Sequence, residues 1–113
     1  MATGAQMRAL ALALPETEER SHFAQPDFRV RGKIFGGLSR DEKRGNLKLP
    51  QELQAMLVDG NPKAFEPAAG AWGRQGWTYV HLAHIRVVDL EKLVGEAWSL
   101  VASKKVARSP RRG

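Results

Sequence analysis

The chain contains no cysteine. That excludes disulfides, thiolate nucleophiles and thiolate metal sites together. It also lacks any apolar run near the roughly 20 residues needed to span a bilayer. The one short apolar patch, in MRALALALPETEE, has only Arg8 before it and Glu16, Glu18 and Glu19 directly after it. It reads as an amphipathic helix rather than a signal sequence, and a cytoplasmic protein is expected. Histidine is scarce: His22, His81 and His84 are the only three. His81 and His84 would point to opposite faces of a strand, and no carboxylate sits at a supporting spacing, so no metal site is expected. Ser21 adjoins His22, but neighbouring strand residues point apart, so the pair cannot form an activated nucleophile. With no nucleophile–base–orienter set and no cofactor motif, a non-enzymatic protein is expected. The spacing Gly70-x-x-Gly73-x-x-Gly76 lacks the Gly-Lys-Ser/Thr ending of a phosphate loop and precedes a strand, so it reads as a turn-forming loop.

What is present is an uneven charge. The 113 residues suit one domain with a single core, and 42% hydrophobic with 27% charged residues is ordinary for a globular chain. The net charge is +6, yet residues 1–27 sum to −2, residues 28–49 to +5, residues 50–103 to −2 and residues 104–113 to +5. Two basic segments therefore sit on a slightly acidic body, an asymmetry that favours an anionic partner. The expected division is a domain over residues 1–105 and a basic, unpacked tail over 106–113, which ends in ARSPRRG.

Periodicity supplies the elements. Met7, Leu10, Ala11 and Leu14 fall on one helical face, with Thr3 and Gln6 placed for a capping box and Pro15 as a stop. Residues 17–24 read as a weakly alternating strand. In FRVR, residues 28–31, apolar and basic residues alternate with period two. Residues 28–31 and 33–38 form a hairpin around Gly32, RDEKRG at 40–45 an exposed turn, and residues 46–49 the next strand. Pro50 opens a short helix with Leu53, Met56 and Leu57 as its buried stripe. Residues 67–76 read as a glycine-rich loop, and WTYVHL at 77–82 as a strand with Thr78, Val80 and Leu82 on one face and Trp77, Tyr79 and His81 on the other. Asp89 would cap a last helix with a stripe of Leu90, Leu93, Val94, Ala97 and Val101 flanked by Trp98. This order implies an α+β two-layer sandwich, an antiparallel sheet covered on one face by two terminal helices, with the opposite face at least partly open.

The segments LALPETEE (12–19), FRVRGKIF (28–35), LKLP (47–50), GAWGRQGWTYVHL (70–82) and DLEKLVGEAW (89–98) resemble, in order and spacing, the MmcQ/YjbR family of small bacterial proteins. The resemblance implies a frataxin-like (CyaY-like) sandwich and a "double wing" mode of DNA binding in which hairpins act as wings. It brings no set of contact residues, only segments: hairpin 28–38 and strands 33–49 occupy the positions of wings. Frataxin-like iron handling is not expected, because the first helix carries Arg8 and no carboxylate.

Two candidate surfaces follow. Arg29, Arg31, Lys33, Arg40, Lys43, Arg44 and Lys48 form a basic hairpin region suited to phosphate backbones, DNA above all, at low sequence specificity because no base-reading helix is evident. The same residues would serve a solvated sheet face, with Asp41 and Glu42 pairing locally with Arg40, Lys43 or Arg44. The alternative surface is Trp72, Arg74, Trp77 and Tyr79, an aromatic set with a glycine-rich loop that suits a small-ligand or protein-interaction module, or else the core.

Overall fold

The computed structural model describes the backbone of residues 1–108 and the side chains of residues 1–103. The elements in chain order are α1 (Gly4–Leu12), β1 (Thr17–His22), β2 (Gln25–Val30), β3 (Lys33–Leu38), β4 (Arg44–Lys48), α2 (Gln51–Gly60), β5 (Phe65–Pro67), α3 (Gly70–Arg74), β6 (Trp77–His81), a single 3-10 turn (Leu82–His84) and α4 (Val87–Arg108). The six strands form one sheet, ordered β1-β2-β3-β4-β6-β5, and every pairing is antiparallel. The fold is α+β. The tail expected from residue 106 lies outside the described residues beyond Arg108.

Each element begins where local chemistry allows. The Thr3 hydroxyl accepts from the Gln6 amide at 3.2 Å, while the Gln6 side chain accepts from the Thr3 amide at 2.9 Å, the expected reciprocal cap of α1. Met7 and Ala11 are fully buried, with Leu10 and Leu14 packed beside them. α4 starts three residues earlier than an Asp89 N-cap implied. Asp89 lies inside the first turn, where its carboxylate suits the positive end of the helix and takes a hydrogen bond from Arg86 Nε at 3.0 Å. Its stripe of Leu90, Leu93, Val94, Ala97 and Val101 is buried as expected, and Trp98 Nε1 donates to the Pro15 carbonyl at 3.0 Å, tying α4 to the end of α1.

The core lies between these helices and one sheet face. Phe28, Gly36, Leu47 and Thr78 occupy one rung of the ladder. Phe28, Leu47 and Thr78 are completely buried, with Val30, Phe35, Leu49, Val80 and Leu82 beside them. Between β2 and β3 the register shifts at Phe28/Arg29, so that Phe35 is the extra residue of a bulge and still reaches the core.

Three expectations need correction. Met56 is 68% exposed and only Leu53, Leu57 and Val58 of α2 lean on the core, because α2 covers the sheet's β5 margin and needs a narrow stripe. The segment 67–76 is not an open loop: it contains α3, and a sixth strand, β5, precedes it. FEP is too short for alternation to register, and its Pro67 is tolerated because β5 is an edge strand. Glu42 and Asp41 form no direct ion pair with Arg40, Lys43 or Arg44, although the Lys43 and Arg44 charges help hold the Asp41 carboxylate below its usual pKa. Glu42 pairs with Arg8 of α1 at 2.8 Å, and Asp41 accepts from the Ser39 hydroxyl at 2.7 Å and the Lys43 amide at 3.0 Å.

The chain returns from α3 to β6 through Gly76, whose φ of +103° and close approach to the Leu49 carbonyl leave no room for a side chain. Gly76→Ala is expected to destabilise by about 1–3 kcal/mol, which thermal melting would read as a Tm loss of about 4–8 °C per kcal/mol. An unchanged Tm would contradict this assignment.

Candidate functional site: a cleft on the open face of the sheet

Strand pleating fixes which side chains face away from the helices. The rung next to the Phe28 rung is Arg20, Asp27, Gly37, Asn46, Tyr79 and Glu66, drawn from β1, β2, β3, β4, β6 and β5 in turn. Alternate residues on the same strands, among them His22, Arg29, Arg44, Lys48, Trp77 and His81, share this face. A cleft of about 320 Å³ opens here, within the size range of small-ligand sites. His22, Asp27 and Ser39 border it on one side, Trp72 and Ala68 on the other, and Arg44, Asn46, Trp77 and Tyr79 lie between.

Gly37 makes the cleft deep. It stands on the central rung without a side chain, and a Cβ there would approach the Pro26 carbonyl oxygen to 2.9 Å. Trp72 is positioned by α2. Gln54 Nε2 reaches the carbonyls of Gly73 and Trp77 at 3.1 and 2.9 Å and the Thr78 hydroxyl at 3.1 Å, while Gln51 donates to the Arg74 carbonyl. The short helix α3 is thereby strapped to β6, and Trp72, 63% exposed, stands at the cleft wall. Half-buried Trp77 and Tyr79 fill the sheet side. The Arg44 guanidinium lies over the Tyr79 ring at 3.9 Å from its centroid, a cation–π stack between diagonal neighbours of the β4–β6 ladder. Arg44 Nε and Asn46 Oδ1 are buried without a hydrogen-bond partner, an uncommon condition for such groups.

Asp27 is the buried charge of the site, 2% exposed. Its carboxylate holds Arg29 Nε at 2.8 Å and His22 Nδ1 at 2.8 Å. Burial pushes its pKa up, but the hydrogen bonds from Arg29 and His22 outweigh it, and the net result lies below the usual carboxylate value. Asp27 in turn holds the Arg29 guanidinium above its ordinary value. Residues QPDF carry one legible cue to this role, an acid one step before a core Phe in an alternating strand and two before Arg29.

The seven basic candidates do not gather into one patch. Arg29 is committed to Asp27, and Arg31 at the β2–β3 turn pairs with Glu16 at 2.9 Å. Exposed Lys33 belongs to that same end of the sheet. Arg40 and Lys43 are exposed in the β3–β4 turn at the opposite end, because β3 runs its full length between them. Arg44 and Lys48 lie on the open face. Of the aromatic candidates, Trp72, Trp77 and Tyr79 converge on the cleft, and exposed Arg74 sits at the end of α3. His81 is turned to Glu66 at 2.7 Å. Among the described residues, no three His, Asp or Glu side chains gather as metal ligands. The arrangement suits binding: a flat group could enter between Trp72 and the Arg44–Tyr79 stack, with polar atoms of Asn46 and Arg44 within the lining.

The lowered Asp27 pKa has a signed consequence. Its ion pairs add stability above the unfolded carboxylate pKa of about 3.9, and that contribution disappears as pH falls through the lower folded value. Asp27→Asn is therefore expected to lower the urea midpoint at neutral pH by about 1–3 kcal/mol equivalent. The gap to the wild type should shrink as pH falls below the unfolded carboxylate value and through the lower folded one. A gap independent of pH would contradict the role given to Asp27.

A crystal structure of a Deinococcus radiodurans protein with a DUF419 domain matches with a TM-score of 0.82 at 22% identity, covering 93% of this chain and 82% of that one. At that identity the likeness speaks for the fold alone. No protein among curated sequences matches. No helix of the described residues is long and apolar enough to cross a membrane. A family model described as YjbR matches residues 12–100, from the last residue of α1 through the entire sheet and into α4, and the chain belongs to the YjbR family.

Proposed function

We propose that this chain is a non-catalytic nucleic-acid-binding protein whose open sheet face takes an unpaired base. The observation that carries the reading is the Arg44–Tyr79 stack beside exposed Trp72 in a cleft of nucleobase-compatible size. Aromatic platforms bind bases through their π-faces irrespective of sequence, and a guanidinium plane stacks equally well. The basic residues that sequence reasoning singled out then act in two groups. Arg44 and Lys48 lie on the stacking face, and Arg40 and Lys43 extend from the β3–β4 turn, where phosphates flanking the base would pass. Arg29 and Arg31 have a different duty, since their charges already serve Asp27 and Glu16. This reading differs from hairpins gripping a duplex backbone: the stacking face selects unpaired nucleotides, DNA or RNA, and the exposed cations add salt-sensitive affinity.

A second reading rests on the unpartnered Asn46 Oδ1 and Arg44 Nε. Two buried polar atoms at the lining of one cleft fit a free small ligand with its own donors and acceptors. The two readings differ in their dependence on strand length. A polymer-tracking site gains affinity from mononucleotide to oligonucleotide, whereas a small-ligand site does not.

Anisotropy with a labelled single-stranded oligonucleotide across a salt series tests the proposal. Trp72→Ala is expected to weaken binding by about 1–3 kcal/mol at every salt concentration. Lys43→Glu should flatten the salt dependence by about one phosphate contact or more. Equal affinity of wild type and Trp72→Ala would remove the cleft from the mechanism.

A further inference from the structure

Phe23 is 83% exposed at the tip of the β1–β2 hairpin, and no motif in the sequence flagged it. The connection is two residues long, Phe23–Ala24, between the paired His22 and Gln25. Both have positive φ, 52° and 64°. Such a turn favours Asn-Gly, because side chains beyond Asn and Gly crowd the backbone in this conformation. The second hairpin of the same sheet, Arg31–Gly32, uses glycine at its second position as expected. A bulky aromatic ring at a strained, solvent-exposed tip is thus held against both backbone preference and the hydrophobic effect, the pattern of an outlier with a function.

The tip is braced rather than loose. Arg40 Nε donates to the Phe23 carbonyl at 3.2 Å, joining this tip to the β3–β4 turn. The His22 ring meets the Phe23 ring edge-on, with centroids 6.0 Å apart and planes at 78°, and His22 is itself fixed by Asp27. The chemistry around the ring is cationic. Arg40 is bonded to the Phe23 carbonyl and exposed Lys43 follows in the same turn; Glu42 is neutralised by Arg8, while exposed Asp41 keeps its charge and takes bonds from the Ser39 hydroxyl and the Lys43 amide, which leaves the turn net positive. Ser21, Ala24 and Gln25 around the tip are small or polar, so the ring stands alone and forms no apolar patch of the kind that anchors a protein partner. An isolated apolar side chain among cations is the chemistry of a wedge that parts stacked bases while the cations hold phosphates. His22 and Gln25, which flank the tip, also border the cleft.

We propose that Phe23 inserts between stacked bases and frees the neighbouring nucleotide for the Trp72–Tyr79 cleft. This rests on the nucleic-acid reading above, and the test separates the two. The full chain is titrated into a duplex and into a single strand, each carrying 2-aminopurine, whose fluorescence rises on unstacking. The wild type should raise the duplex signal. Phe23→Ala should abolish that rise and weaken duplex binding about fivefold or more, while single-strand affinity stays within about twofold. Phe23→Asn, which suits the left-handed turn, should melt at a higher temperature than the wild type and equally lose the duplex signal. A duplex signal that survives Phe23→Ala overturns the wedge. A wild type that binds the single strand but never unstacks the duplex overturns the wedge alone. A wild type that binds neither overturns the underlying reading as well.

Discussion

The spacing between the helical layer and the sheet depends on how Met7 meets the strands beneath it. Met7 is completely buried on α1, and the strands opposite it carry Gly36 and Gly45. A Cβ at Gly45 would lie 2.7 Å from the Met7 sulfur, and one at Gly36 would meet Met7 Cε at 3.9 Å and Leu47 at 2.9 Å. A flexible thioether filling a floor of glycines lets α1 approach β4 closely. Arg8, the next residue, then reaches Glu19 and Glu42, each at 2.8 Å, fastening α1 to β1 and to the β3–β4 turn. Those bonds hold the Arg8 guanidinium well above its ordinary pKa and the Glu42 carboxylate below its own. With hydrophobic burial concentrated on one face, the opposite face is released to carry polar and aromatic groups.

Charge follows the same division of labour. The acids near the N-terminus are structural partners: Glu19 serves Arg8, Glu18 pairs with Arg20 at 3.2 Å, and Glu16 with Arg31. Asp27 is the deepest of these arrangements, a carboxylate under two side-chain donors in the middle of the exposed sheet. Removing one member of such a set leaves the other poorly solvated, so the group behaves as a unit that rigidifies β1 and β2 beside the cleft.

Much of the fold was legible because its periodicities are strong. The capping box at Thr3, the hairpin about Gly32, the alternation of Thr78, Val80 and Leu82 and the stripe from Leu90 to Val101 all stand as the sequence implied. β5 and α3 were not legible, since three and five residues are too few for either period to emerge and both are held by tertiary bonds from Gln54 and the β6 ladder. The candidate site was half legible. Trp72, Trp77 and Tyr79 could be named from sequence, and so could the basic residues. Which cations are engaged depends partly on Glu16 and Glu42, whose partners come from elsewhere in the fold and are encoded by no local pattern, whereas Asp27 and Arg29 are neighbours on one face of β2. Phe23 escaped because an exposed aromatic in a poorly alternating strand carries no periodic signature.

The picture that emerges is a YjbR-family sandwich with one packed face and one open face, the latter carrying a braced hairpin tip, a glycine-deepened cleft and a stacked Arg44–Tyr79 pair. Its central claim is that ligands meet the open face. Backbone amide chemical-shift mapping with a short single-stranded oligonucleotide tests that claim most directly. The account predicts perturbations concentrated in β4, β6, α3 and the two turns near Phe23 and Arg40, with the buried stripe of α4 unmoved. Perturbations confined to α1 and α4, or to the residues after Arg108, would contradict it.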